Sequence, residues 1–208
     1  TGSQDYVSNT TVGLYLQQQF GWNDRLFLTG AVRVDNNSAF GDDFDLATYP
    51  KVSGTWLISE EPFWGIDLIN TLKLRTAFGV SGLQPEVFTA LRTFQPITGT
   101  GDAPAVTPQL IGNPDLKPER GTEFEVGFDA VAFDRLSLDF TYFTKKTKDA
   151  ILLRPVPPSL GFPGSQYTNI GEVSNSGIEL RASLQAMTRD NFTWEITGNI
   201  GTTKDEID

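Results

Sequence analysis

The chain has 208 residues and a formal net charge of −10, with no cysteine and no histidine. Those absences exclude thiol nucleophiles, disulfides, Cys/His zinc sites and Ser-His-Asp triads within it. The acidic balance opposes nucleic-acid binding, which needs a basic footprint. With 20 Gly, 15 Phe, 5 Tyr and 4 Trp, the composition suits strands better than helices. No stretch approaches the apolar length of a transmembrane helix, and the first residues, Thr1 to Asp5, do not read as a signal peptide.

Taken in order, Thr10 to Phe20 alternates, with Val12, Leu14 and Leu16 on one face, and turns at Gly21-Trp22-Asn23-Asp24. Arg25 to Val34 alternates again, followed by a polar loop from Asp35 to Leu46. Thr48 to Ile58 reads as a third strand, with Pro50 near its start, where a missing amide donor is tolerable. Ser59 to Asn70 is a connection and Thr71 to Val80 a fourth strand, leading into a Gly/Pro/Thr-rich excursion over 81–118. The best-defined hairpin lies within Asn113–Phe143. Phe124, Val126, Phe128, Ala130 and Ala132 oppose Glu123, Glu125, Gly127 and Asp129, and after a turn at Phe133-Asp134-Arg135 the pattern resumes with Leu136, Leu138, Phe140 and Tyr142. A Pro-rich loop, Arg154 to Pro163, precedes a strand over Ile170–Met187, and the last alternation starts at Phe192.

Two trends organise these runs. Connections are alternately short and long, and the strands exceed the usual soluble length of roughly five or six residues, matching the about 9–11 that a tilted transmembrane strand requires. Trp22, Trp56, Trp64 and Trp194 gather near the short turns, while Tyr49, Phe78, Tyr142 and Phe143 lie toward the long loops. Such belts mark membrane interfaces. The expected fold is therefore all-β: an antiparallel transmembrane β-barrel segment of about eight long strands, with short turns on the periplasmic rim and long loops outside. Residues 1–208 are expected to form part of a single barrel domain. A soluble secreted β-sandwich binding module explains the alternation equally well, and a passive porin fits the barrel.

Mid-strand charges refine the expectation. Arg25, Arg33, Lys73, Arg75, Glu123, Glu125, Asp129, Asp139, Glu179, Arg181 and Glu195 recur on the polar faces. An Arg or Lys facing lipid at the midplane costs about 2–4 kcal/mol, so these residues are expected to face a wet or plugged lumen. Nothing reads as an enzyme: phosphate-binding loops and hydrolase elbows are absent, and the adjacent Glu60 and Glu61 would point to opposite faces. Asp42, Asp43 and Asp45, with Asp35 nearby, offer oxygens but lack calcium-loop spacing; they read as a solvated loop, as Lys145, Lys146 and Lys148 read as a hydrated rim. No cofactor or metal is expected.

The stretch Gly112-Asn113-Pro114-Asp115-Leu116-Lys117-Pro118-Glu119 resembles the barrel signature of TonB-dependent outer-membrane receptors. RVDNNSAFGDDF (33–44), YPKVSGTWLISEEPFW (49–64), LKLRTAFGVSG (72–82), RPVPPSLGF (154–162) and NIGEVSNSGIEL (169–180) are similar to the SusC/RagA-like branch, whereas Pro118 and Arg120 look more like the wider family. The resemblance implies a barrel of about 22 strands with a plugged lumen, of which this chain would be an internal portion. It also implies uptake of an oligosaccharide or peptide, energised by the TonB complex through a plug outside this chain and assisted by a SusD-like surface lipoprotein; a siderophore or cobalamin is the alternative cargo. The loops at 35–47, 81–118 and 149–169 would carry ligand contacts, with Phe94, Phe162 and Tyr167 as candidate stacking platforms against the plainer reading of loop packing.

Overall fold

A computed structural model describes residues 8, 10–37, 46–86, 88–162 and 164–207. The alternating runs form β1 (Thr11–Trp22), β2 (Leu26–Asn37), β3 (Ala47–Leu57) and β4 (Ile69–Leu83), then a small hairpin of β5 (Thr93–Thr98) and β6 (Pro104–Leu110). There follow β7 (Glu119–Ala132), β8 (Leu136–Lys148), a second small hairpin of β9 (Ile151–Pro155) and β10 (Ser165–Asn169), and finally β11 (Glu172–Arg189) and β12 (Phe192–Ile207). Eight of them make one sheet in the order β1-β2-β3-β4-β7-β8-β11-β12. Every pairing is antiparallel, so the wall is a meander with each long hairpin beside the last.

The short turns follow from local backbone chemistry. Asn23 and Asp24 sit at φ 49° and 55°, and Phe133 and Asp134 at 57° and 58°. Two consecutive left-handed residues give a hairpin turn whose twist matches that of the strands. Arg25 N–H closes the first turn on the Trp22 carbonyl at 3.0 Å, and Arg135 N–H closes the second on Ala132 at 3.1 Å. Arg25 is thus a turn residue, not a mid-strand one as its sequence position suggested, and it reaches Glu61 at 3.5 Å. The Glu60-Glu61 pair lies in the β3–β4 connection, where Glu61 also accepts the Trp56 indole N–H at 3.0 Å. The excursions over 81–118 and 149–169 are more ordered than their composition suggested, since each contains a hairpin. Asp42, Asp43 and Asp45 lie outside the described residues. Asp35 belongs to β2, where it pairs with Arg33 at 2.8 Å.

The wall has almost no internal core. Among the described residues, Ala47, Leu116, Ala130 and Ala150 form the buried hydrophobic core, and Leu116 alone among large side chains is fully enclosed. Val12, Leu14, Leu16, Trp22, Trp194 and Ile200 are all more than half exposed. Among the described residues no second sheet covers that face, which is where the sandwich expectation fails: a sandwich buries its apolar side chains between two sheets.

Candidate functional site

Register turns the strand faces into continuous rows. Trp22, Leu26, Trp56, Leu74, Phe128, Phe140, Leu180 and Ile200 stand directly opposite one another from β1 to β12. All eight belong to the apolar face. Its upper boundary, toward the long loops, runs obliquely to that row. The uppermost apolar residue of this face is Val34 on β2, then Pro50, Val80, Phe124, Tyr142, Ile178 and Ile200 on the following strands. The next position on the same face is in every case polar or glycine: Asn36, Thr48, Gly82, Thr122, Thr144, Ser176 and Thr202.

This boundary measures the strand tilt. Val34 lies eight residues above Leu26, and the row of Leu26 reaches Ile200 six strands later. Eight residues rise about 27 Å along a strand and six strand spacings cover about 29 Å, a slope of about 43°. The lower boundary follows the same slope, from Leu26 through Ala132 to Phe192. Strands of outer-membrane barrels tilt by about 35–45°. The eight-residue band then stands about 20 Å high between backbone positions, close to the about 25 Å apolar belt of such barrels once side chains are added.

The opposite face carries the charges. Lys73 stands opposite Asp129, Asp129 opposite Asp139, and Asp139 opposite Arg181. Lys73 pairs with Asp129, and Arg75 Nε reaches Asp129 at 3.1 Å. The same Arg75 crosses β7 to bond Asp139 and to donate to the Thr141 hydroxyl at 2.9 Å. It passes over Gly127, its direct partner, where an added Cβ would collide with the Phe140 carbonyl. Phe143, opposite Glu125 and Gly177, and Tyr49, opposite Arg33, also lie on this polar face, and so leave the outer aromatic belt to Phe78 and Tyr142. Lys73, Asp129, Asp139, Arg181, Ser183 and Glu195 line a concavity of about 430 Å³. Mid-wall charges of both signs, facing away from the apolar band, are what a hydrated or filled lumen accommodates.

Above the wall, the two small hairpins are tied together by the 112–119 corner. Asn113 folds as an Asx turn, accepting Asp115 N–H at 3.2 Å, and donates to the Tyr167 carbonyl at 2.9 Å. Gln166 donates to the Gly112 carbonyl at 2.6 Å. Asn169 accepts Lys117 N–H at 2.8 Å and donates to the Lys117 and Asp149 carbonyls at 2.7 and 2.9 Å. Glu119 accepts Ile151 N–H at 2.8 Å. Gly112, at φ 70°, passes so close to Leu91 and Arg92 that a Cβ would lie 2.7 Å from the Arg92 nitrogen.

That packing brings two of the three candidate platforms together. Phe94 and Phe162 meet with ring centroids 5.8 Å apart, tilted by 55°, and the Arg92 guanidinium lies 5.2 Å above the Phe162 ring. Tyr167 stands apart from that pair on β10, opposite Leu153, and its carbonyl serves Asn113. In the sequence Asn113 and Asn169 stand out only as members of the family-like stretches and Arg92 not at all, because a contact between residues so far apart in the chain leaves no periodicity.

The family profile described as TonB dependent receptor-like, beta-barrel, matches residues 1–208. The chain belongs to that family. A TonB-dependent receptor of Formosa agariphila is 29% identical over 99% of this chain and 21% of its own length. The TonB-dependent receptor SusC of Bacteroides thetaiotaomicron is 25% identical over 96% of this chain and 21% of its own length. The RagAB peptide transporter superposes with a TM-score of 0.87 at 25% identity, over 96% of this chain and 22% of that one. The siderophore receptor PirA of Pseudomonas aeruginosa shares the fold at a TM-score of 0.65 and 16% identity. This TonB-dependent receptor segment thus spans about a fifth of the length of the curated relatives it matches. It is a portion of an outer-membrane barrel wall, and its slanted apolar band is the lipid-facing surface.

Proposed function

We propose that residues 1–208 are one part of a single barrel domain in a receptor that actively takes up an oligosaccharide or peptide across the outer membrane. The observation that carries this reading is the structural likeness: the RagAB peptide transporter superposes with a TM-score of 0.87, against 0.65 for the siderophore receptor PirA. In this reading the polar face, with its Lys73/Arg75/Asp129/Asp139/Arg181 charges, faces a plug supplied by the rest of the protein. The TonB complex draws on that plug to admit cargo. The interlocked hairpins form the outer vestibule beside a SusD-like lipoprotein. There the exposed side of Phe94, backed by Phe162 and Arg92, offers a stacking surface to a sugar ring or an aromatic peptide side chain; Tyr167 serves the vestibule's frame.

Uptake by cells carrying the full-length receptor tests this directly, using fluorescently labelled oligosaccharides and oligopeptides beside a ferric siderophore. Sugar or peptide uptake should vanish on deletion of the receptor and on loss of TonB. Uptake of the siderophore alone would reject the assignment.

A further inference from the structure

Above the apolar band, the lipid-facing side of β7 and β8 carries a compact set of cations. Arg120 stands directly opposite Lys148, and Thr122 opposite Lys146, one row below. On β11 the same two rows continue with Glu172 and Ser174. Glu172 is the single carboxylate in the set, pairing with Lys146 and lying 3.8 Å from Lys148. Arg120 is exposed and has no ion-pair partner among the described residues. Glu206, further along in the Lys146 row, is taken by Lys204 at 3.3 Å.

Two features set this place apart. Like charges directly opposite one another across strands are destabilising, and elsewhere the wall offsets them: Asp129 and Asp139 are bracketed by Lys73, Arg75 and Arg181. Arg120, Lys146 and Lys148 have one ion-paired carboxylate, Glu172, among three cations, while Glu119 and Asp149 line the cavity beside Arg120 without pairing with it. Second, their height is fixed by the slanted boundary. Arg120 and Lys146 lie four residues above Phe124 and Tyr142, about 10 Å nearer the outside at the measured tilt, with Lys148 about 5 Å higher. Long basic side chains keep their stems along apolar surface and their charges in the polar layer. Lys145, between them in sequence, lies on the opposite face against Glu123.

We propose that Arg120, Lys146 and Lys148 form a binding site for the phosphorylated headgroup of an outer-leaflet lipid, whose acyl chains lie on the apolar band below. Phosphate charge relieves the Arg120–Lys148 repulsion, and the Thr122 and Ser174 hydroxyls supply further donors between the cations. Glu172 holds the lysines upright and limits affinity.

The test uses the full-length receptor in detergent, titrated with diphosphorylated lipid A, with enzymatically dephosphorylated lipid A and with inorganic phosphate, bound lipid being counted by native mass spectrometry. The triple variant Arg120→Gln, Lys146→Gln, Lys148→Gln should bind phosphorylated lipid A at least about tenfold more weakly, the loss of about 1.4 kcal/mol. Lys145→Gln should bind as the parent does. Glu172→Gln should bind more tightly and, together with the single variant Lys148→Gln, provides the reading if the triple variant fails to assemble. Equal binding by parent and cation variants, equal binding of dephosphorylated lipid, or full displacement by millimolar inorganic phosphate would overturn the proposal.

Discussion

The two rims of this wall are held by different physics. At the short-turn rim, backbone geometry suffices: left-handed pairs at Asn23-Asp24 and Phe133-Asp134 reverse the chain, and neighbouring turns are laced by single bonds such as Phe133 N–H to the Leu68 carbonyl at 3.1 Å. Indoles finish it, with Trp64 Nε1 donating to the Ile69 carbonyl at 3.3 Å. At the long-loop rim, side chains capture backbone groups of segments roughly fifty residues away, as Asn113 and Asn169 do. The corner they pin contains Leu116, the one fully enclosed large side chain among the described residues. Turns can be set by two residues. A vestibule of fixed shape requires residues that agree across the chain.

The largest effect expected from breaking that contrast is at Leu116. Leu116→Ala empties a fully enclosed site and should cost about 3–4 kcal/mol of local stability, read as faster hydrogen exchange across 88–118 and 149–169 with the short turns unchanged. Next comes the wall joining the rims. Val126→Arg places a cation on the lipid-facing band and should cost about 2–3 kcal/mol in folding into bilayers, whereas Glu125→Gln, one residue away on the other face, should change it by less than about 0.5 kcal/mol. A urea titration of the full-length receptor in lipid vesicles compares the two. Asn169→Ala removes three hydrogen bonds to backbone and should cost about 1–2 kcal/mol at their partly exposed positions, seen as new protease cleavage near 117 and 149. At the short-turn rim, Asp24→Gly suits a left-handed position and should shift stability by at most about 0.5 kcal/mol. A large loss there would place side-chain chemistry at both rims.

Much of the wall was legible beforehand. Two-residue periodicity marked all eight strands and both faces of the Phe124–Tyr142 hairpin, and Asp-Arg-Leu at 24–26 and 134–136 sits where the chain turns. Arg25 is not distinguishable as a turn residue in the sequence, because a turn residue next to a strand shares the strand's alternation. Phe143 cannot share the lipid face with Tyr142, because two adjacent aromatics on an extended chain point to opposite sides. The small hairpins β5–β6 and β9–β10 leave no strand signal, since short Pro-rich strands carry too few alternations to stand out.

What the sequence determined by itself is the division of each strand into a greasy and a charged side, because side chains on extended backbone alternate whatever the neighbours do. What the tertiary structure decided is everything that needs register. The common slope of the band, about 43° from standard strand spacings, the passage of Arg75 over Gly127, the meeting of Phe94 with Phe162 and the crowding of Arg120 against Lys148 all depend on which residue of one strand stands beside which of the next. Hydrogen bonding across the sheet sets that choice, and no single strand contains it.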